Sequence, residues 1–343
     1  MPVGDGYDNA YPRAGKVALL CEGDLIGYEA SILRRWTDDR VGTNPLVDIW
    51  PCGTGHAIYG MSDAIGRSCY VLAIEDRDFR TPAEAESDCQ KTLNDRRRRE
   101  VRVVNWCAWH RNEIENYLLE PEVLYPVMSE AFGCTIQNVE DGVMEILPSL
   151  VPFQAMQSVL YRARRIWERS DPSRLLSSRM ITRPIWDDAI GQPSPPDPGA
   201  LRATLQENLA RWHDILPPNY GGEGSGERFD ALTEFDKQLD LWRDPANDDS
   251  WRTDWTGKDI LQWLRIRLAS HFGVMDGDSR TRVKLNWNLS RTKRDAQDRP
   301  IESALKPRLA SRFLDYLLGL TNGVLWNEWS ALEAFVRGWN TTI

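Results

Sequence analysis

The sequence predicts an α/β fold: a doubly wound parallel sheet over residues 14–135, followed by a mainly helical part over 136–343. Three observations carry this. Four short apolar runs in the first third are each followed by a segment with apolar residues at helical spacing, the alternation that yields parallel strands. Beyond 135 the short runs stop and helical patterns take over. The chain has 343 residues, 41% of them apolar, enough for one large domain or two ordinary ones with a real core.

KVALLC (16–21) is a short apolar run with a β-branched start and reads as a buried strand. In the following IGYEASILRRW, the residues Ile26, Ala30, Leu33 and Trp36 recur at helical spacing. LVDIW (46–50) is the second strand, and PCGTGHAIYGMSDAIG is a glycine turn running into a second helix. CYVLAI (69–74) is the third strand. TPAEAESDCQKTLNDRRRR is a helix with proline in its first turn, a favoured place for it. VRVVNW (101–106) is the fourth strand, and RNEIENYLLEPEVLYPVM starts another helix. Later, DILQWLRIRL and GVLWNEWSALEAFVRGW are helical. Residues 1–13 read as a flexible lead-in without a signal-peptide pattern, GQPSPPDPG (191–199) as an extended connector and PPNYGGEGSGERF (217–229) as a flexible loop.

The net charge of −9 argues against coating nucleic acid through bulk positive charge, though not against a local grip. Six scattered cysteines without a C-x-x-C pair fit a reduced, cytoplasmic protein with buried thiols better than a disulfide scaffold or a zinc site. No stretch approaches the roughly 18 unbroken apolar residues of a membrane span. Fifteen tryptophans, many on helical patterns, read as core aromatics. The basic runs RRRR (96–99) and RARRIWER (162–169) sit among acids and read as salt-bridged faces. His110 stands just before the E-I-E-N block, and none of the four histidines has metal-ligand spacing. No G-x-x-x-x-G-K-[ST] is present, so ATP hydrolysis by this chain itself is not expected.

The third strand runs into AIEDRDF, which sets Glu75, Asp76 and Asp78 nearly side by side. In open parallel sheets ligands bind outside the carboxyl ends of the strands. Glu22 follows the first strand, Asp76 and Asp78 the third, Glu113 and Glu115 the fourth, so five acids can gather on one edge. Asp76 and Asp78, two apart, point the same way in extended chain. Adjacent carboxylates repel unless a cation sits between them, and a hard ion such as Mg²⁺ is the natural solution. Two such ions could activate water and stabilise the leaving oxygen in phosphodiester cleavage. The competing reading makes these acids helix caps or solvated loop residues, with Arg77 neutralising Glu75 or Asp78.

VALLCEGD, the glycine turn CGTG and VLAIEDRDF together resemble the TOPRIM domain, which carries a glutamate after its first strand and an aspartate-x-aspartate after its third. WHRNEIENYLLEPEVL resembles the block that follows in the OLD-like branch of that family, to which the nuclease component of the PARIS anti-phage system belongs. The resemblance implies a TOPRIM-like parallel-sheet domain and a Mg²⁺- or Mn²⁺-dependent nuclease. Glu22 would be a metal ligand or general acid/base, Asp76 and Asp78 the metal pair, and Glu113 and Glu115 the rest of the cluster, only one of which need reach the metal. On a helix Glu113 and Asn116 would share a face while Glu115 points elsewhere. Lys258 in TGKDIL would neutralise the scissile phosphate, or else be an exposed helix-start lysine. Many relatives carry a further acid four residues after the first glutamate, where this chain has Ile26; either Asp24 or Glu29 replaces it, or the second metal is absent. Gly53 and Gly55 read as shaping a tight crossing. The resemblance also implies a tRNA, other RNA or DNA substrate, an ABC-type ATPase partner, a homodimer when active and no membrane. The alternative, from another class, is a non-catalytic interaction module that binds a partner ATPase.

Overall fold

The computed structural model describes residues 17–23, 28–40, 47–170, 197–213, 230–244, 247, 249–272 and 305–337. The lead-in, most of the 191–199 connector, the 217–229 loop, Asp24 and Ile26 lie outside the described residues.

Four strands, β1 (Val17–Cys21), β2 (Val47–Pro51), β3 (Tyr70–Glu75) and β4 (Val103–Ala108), pair in the order β2-β1-β3-β4 with every neighbour parallel. The central β1 is buried at every position, as its unbroken apolar run requires of a strand covered on both faces. Between the strands run α1 (Tyr28–Arg40), α2 (Gly55–Ile65) and α3 (Pro82–Arg98). Ala18, Leu20, Val71, Ala73 and Val103 pack on one face of the sheet against Ile58 and Ile65 of α2 and Leu93 of α3. α3 opens as its sequence directs: Thr81 accepts from the amide of Glu84, Glu84 reaches back to the amide of Thr81, and Pro82 holds the first turn.

The fourth strand begins two residues later than the apolar run suggests. Val101 N–H instead donates to Arg96 O at 3.1 Å, closing the end of α3, and Arg102 N–H donates to Gly66 O at 2.7 Å. Most of the RRRR run is absorbed there. Arg96 is buried on Asp63, Arg97 donates to Val104 O at 2.8 Å, and Arg99 pairs with Asp95 at 3.1 Å.

The chain divides into two compact units, one of residues 1–133 with 277–343 and one of residues 134–276. In the first, a 3-10 turn (Ile114–Leu119) and α4 (Pro121–Phe132) follow β4. The helices expected as one block over 136–343 therefore part company. Among the described residues, those in the second unit are α5 (Ile136–Ile146), α6 (Val151–Ser170), α7 (Pro198–His213), α8 (Ala231–Arg243), α9 (Ser250–Thr253) and α10 (Gly257–His271). The last two, α11 (Leu305–Gly319) and α12 (Val324–Arg337), belong with the sheet. Aromatic packing draws them back: Trp329 sits 5.3 Å from Trp36 and 5.5 Å from Tyr117, and Phe313 5.9 Å from Tyr117, between ring centroids. An amphipathic pattern announces a helix but not its partner, so the sequence did not reveal this return. Residues 136–163 are long and apolar enough to span a membrane by composition, but 67% of that window is buried in the protein, the behaviour of core helices.

Candidate metal centre at the carboxyl edge of the sheet

β3 ends at Glu75, and the chain then makes a turn that costs backbone energy. Asp78 and Phe79 have φ of 50° and 57°, a region uncommon for residues other than glycine. Two buried residues hold it. Asn112 accepts the amides of Arg77 (2.8 Å) and Asp78 (3.2 Å) on its backbone oxygen and that of Phe79 on its side-chain Oδ1. Arg80 donates from Nε to Arg77 O at 2.7 Å and from Nη2 to Asp76 O.

Gripped in this way, the turn brings carboxylate oxygens of Asp76 and Asp78 together with one of Glu113, all within 4.8 Å of one another. Asp76 and Glu113 are buried and Asp78 is half-buried. Glu113 arrives from an extended stretch (φ −143°, ψ 165°), and its amide donates to Asn116 Oδ1 at 2.9 Å. This corrects the expected helix from 111 onward. Ordered 3-10 turns start only at Ile114, so Glu113 stands before the helical segment and is free of its geometry.

Glu22 joins the same edge from β1: its Oε1 accepts the Asp76 amide at 3.2 Å. Two glycines make room for the acids. A Cβ on Gly55, the first residue of α2, would lie 2.9 Å from Glu22 Oε1, and one on Gly23 would lie 2.8 Å from Glu29 Oε2. Gly23 and Gly53, with φ of 88° and 86°, bridge the ends of β1 and β2, Gly53 N–H donating to Gly23 O at 2.8 Å. This is the tight crossing expected of the glycine turn. Glu29 is buried, so an acid does stand by Glu22 although position 26 is isoleucine. The Cys52 thiol registers both carboxylates. Burial first, then the charges of Glu22 and Glu29, push its pKa up to about 12.

Not every acid of the sequence joins the group. Glu75 lies in a closed pocket of donors: Arg80 Nη1 at 2.6 Å, Tyr59 Oη at 3.0 Å and Trp106 Nε1 at 3.0 Å. Its counter-charge is Arg80. Glu115 is fully buried with Lys306 Nζ 3.6 Å from its Oε1, outside the trio that Asp76, Asp78 and Glu113 form. Lys258 is exposed at the start of α10, in the second unit, and His110 is exposed directly before the block. Arg111 is a buried clasp. It pairs with Glu120 and with Glu328 of α12 (3.2 Å), and lies 4.7 Å over the Tyr117 ring. R-N-E-I-E-N-Y is thus one unit of construction: Arg111 ties it down, Asn112 sets the preceding turn, Glu113 supplies an oxygen and Asn116 fixes Glu113.

Sequence reasoning missed Asn112, Arg80 and Lys306. The first two left a signal, each standing within a few residues of a candidate acid; Lys306 left none, being 191 residues from Glu115 by their numbers (306 − 115). Compared with family models, with curated proteins and with solved structures, the chain matches none. The site must therefore speak through its chemistry. Three carboxylates with oxygens in reach of one another can hold a metal ion, and an all-oxygen set suits hard divalent cations.

Proposed function

We propose that this protein is a Mg²⁺- or Mn²⁺-dependent endonuclease of the TOPRIM, OLD-like type, cleaving phosphodiesters of tRNA, other RNA or DNA. The observation that carries the reading is the convergence of Asp76, Asp78 and Glu113 within 4.8 Å, joined by Glu22 through the Asp76 amide, at the carboxyl edge of an all-parallel sheet. A bound divalent ion would supply charge for the scissile phosphate and a more acidic water. The chain's own residues do the rest. Asp76, Asp78 and Glu113 would hold the ion, with the Asn112 and Arg80 contacts keeping two of these carboxylates in place. Glu22 would serve as a further ligand or take a proton from the attacking water. Glu115 has a different assignment here: it balances Lys306 and supports the turn that carries Glu113.

The same reading extends, through the resemblance to the PARIS nuclease AriB, to a toxic effector of anti-phage defence acting in the cytoplasm. An ABC-type ATPase would hold it inactive, and release would be followed by homodimer formation. Inducible expression in bacteria tests the activity. Wild type should arrest growth and leave fresh RNA or DNA ends, and Glu22→Ala should do neither. A parallel Mn²⁺ titration should show binding that is lost in the Asp76→Ala, Asp78→Ala double variant. Absence of Mn²⁺ binding to wild type would turn the reading to a non-catalytic module that binds the ATPase.

A further inference from the structure

We propose that Glu328 and Lys306 are positioning residues of the metal centre: through them, helices α12 and α11 latch the block that presents Glu113 and so set how tightly the ion is held. This rests on the metal-dependent reading of the trio. It adds to that reading the hold on the third carboxylate, since Asn112 and Arg80 account for the turn that carries Asp76 and Asp78.

The first latch runs through Arg111. Glu113 stands just before the 3-10 turn, so its direction depends on what anchors that turn. Asn116 is the link. It is fully buried, its Oδ1 accepts the Glu113 amide at 2.9 Å, and its backbone oxygen accepts Arg111 Nη1 at 3.3 Å. The same buried guanidinium meets Glu120 at 2.5 Å and Glu328 of α12 at 3.2 Å. Glu328 therefore acts on Glu113 through Arg111 and Asn116.

The second latch runs through Glu115, which is fully buried. Lys306 of α11 brings its Nζ to 3.6 Å from Glu115 Oε1, and the same ammonium lies 4.8 Å over the Tyr28 ring of α1. Glu113 is thus bracketed in the chain by Arg111 and Glu115, each fastened to one of the last two helices. Packing does not call for these charges. Trp329 and Phe313 already dock the helices on Tyr117, and a buried ion pair adds little net stability beyond what apolar groups of the same volume would give. What a pair does supply is a fixed geometry, and both pairs stand where it is needed. Because α11 and α12 follow residues 134–276 in the chain, the latches are the last part of the first unit to be made. The metal centre is complete only when the chain is.

The test is Mn²⁺ binding to the full chain, followed by electron paramagnetic resonance at a temperature where circular dichroism shows wild type folded. Glu328→Gln keeps the side-chain volume and leaves Arg111 paired with Glu120. It should stay folded, weaken Mn²⁺ binding roughly tenfold, as loss of a residue that orients ligands does, and change the spectrum of the bound ion. The Lys306→Met, Glu115→Gln double variant removes both charges of the second latch and strands neither, and the same result is expected. If wild type binds Mn²⁺ and the Asp76→Asn, Asp78→Asn variant does not, while both latch variants match wild type in affinity and spectrum, the metal reading stands and the latch proposal falls. If a latch variant is unfolded at that temperature, its contacts serve the fold and not the centre, and the proposal falls as well. If wild type binds no Mn²⁺, the metal reading itself fails and takes the latches with it.

Discussion

The carboxylate of Glu75 receives hydrogen bonds from Arg80, Tyr59 and Trp106, whereas Asp76, the next residue, turns its carboxylate toward those of Asp78 and Glu113. One side of the end of β3 is a pocket of donors around a single acid. The other gathers acceptor oxygens within 4.8 Å. Both acids are buried, at 5% and 3% exposure, so burial does not tell them apart. The company does. Glu75 has its cation at 2.6 Å and is part of the structure, while carboxylate oxygens within 4.8 Å of one another can share a divalent ion.

Removing the match should be the most costly change. Arg80→Ala strips Glu75 of its cation and the turn of two donors, and should cost about 3–5 kcal/mol in a denaturant unfolding curve, as breaking a buried ion pair does. A loss under about 1 kcal/mol would mean that the Glu75 pocket is no more structural than the neighbouring trio.

The opposite behaviour is expected of the trio. Mn²⁺ at a hundred times its dissociation constant should stabilise wild type by about 2.7 kcal/mol. The Asp76→Asn, Asp78→Asn double variant should lose that gain, yet in EDTA it should unfold no earlier than wild type, because two repelling charges are gone. Calorimetry with and without Mn²⁺ reads both arms.

Asn112 joins the two regions, since it holds the strained turn between them. Asn112→Ala should cost about 1–3 kcal/mol of stability. It should also weaken Mn²⁺ binding roughly 10–100-fold, as loss of a residue that orients ligands does. Equal Mn²⁺ affinity in this variant would show that the left-handed turn at Asp78 does not depend on it.

High pH separates the regions more gently. Burial, and then the charge of Glu75, push the Cys89 thiol from 9.0 up to about 12, and Tyr59 beside Glu75 is raised in the same way. The folded state keeps these protons while the unfolded chain releases them. Their contribution is therefore complete below pH 9.0 and declines as pH rises from there toward about 12. Cys89→Ala should flatten that alkaline limb of the stability profile and leave Mn²⁺ binding at neutral pH unaltered. The smallest effect is expected at exposed Lys258, where Lys258→Gln should shift stability by less than about 0.5 kcal/mol and leave metal affinity unchanged. Cleavage assays on that variant then report on the phosphate contact alone.

Much of the edge was legible in the chain. Four apolar runs marked four parallel strands, and the aspartates of E-D-R-D fell where such a sheet presents ligands. The choice between Glu113 and Glu115 was not legible, because helical geometry was assumed where the backbone is still extended. Nor was the fate of Glu75, whose partners Tyr59 and Trp106 come from other elements of the sheet unit.

By itself, then, the sequence determined the strands and most of the helices, since periodicity and capping act over a few residues; Asp76 and Asp78 meet through a left-handed turn at Asp78 and not along the extended chain that their spacing suggested. Tertiary structure alone decided that α11 and α12 return to the sheet, that Lys306 meets Glu115, and which carboxylates gather in the trio. The reason is physical. A local pattern fixes where a side chain leaves the backbone, but the charge it meets and the water it loses depend on segments brought close only by packing.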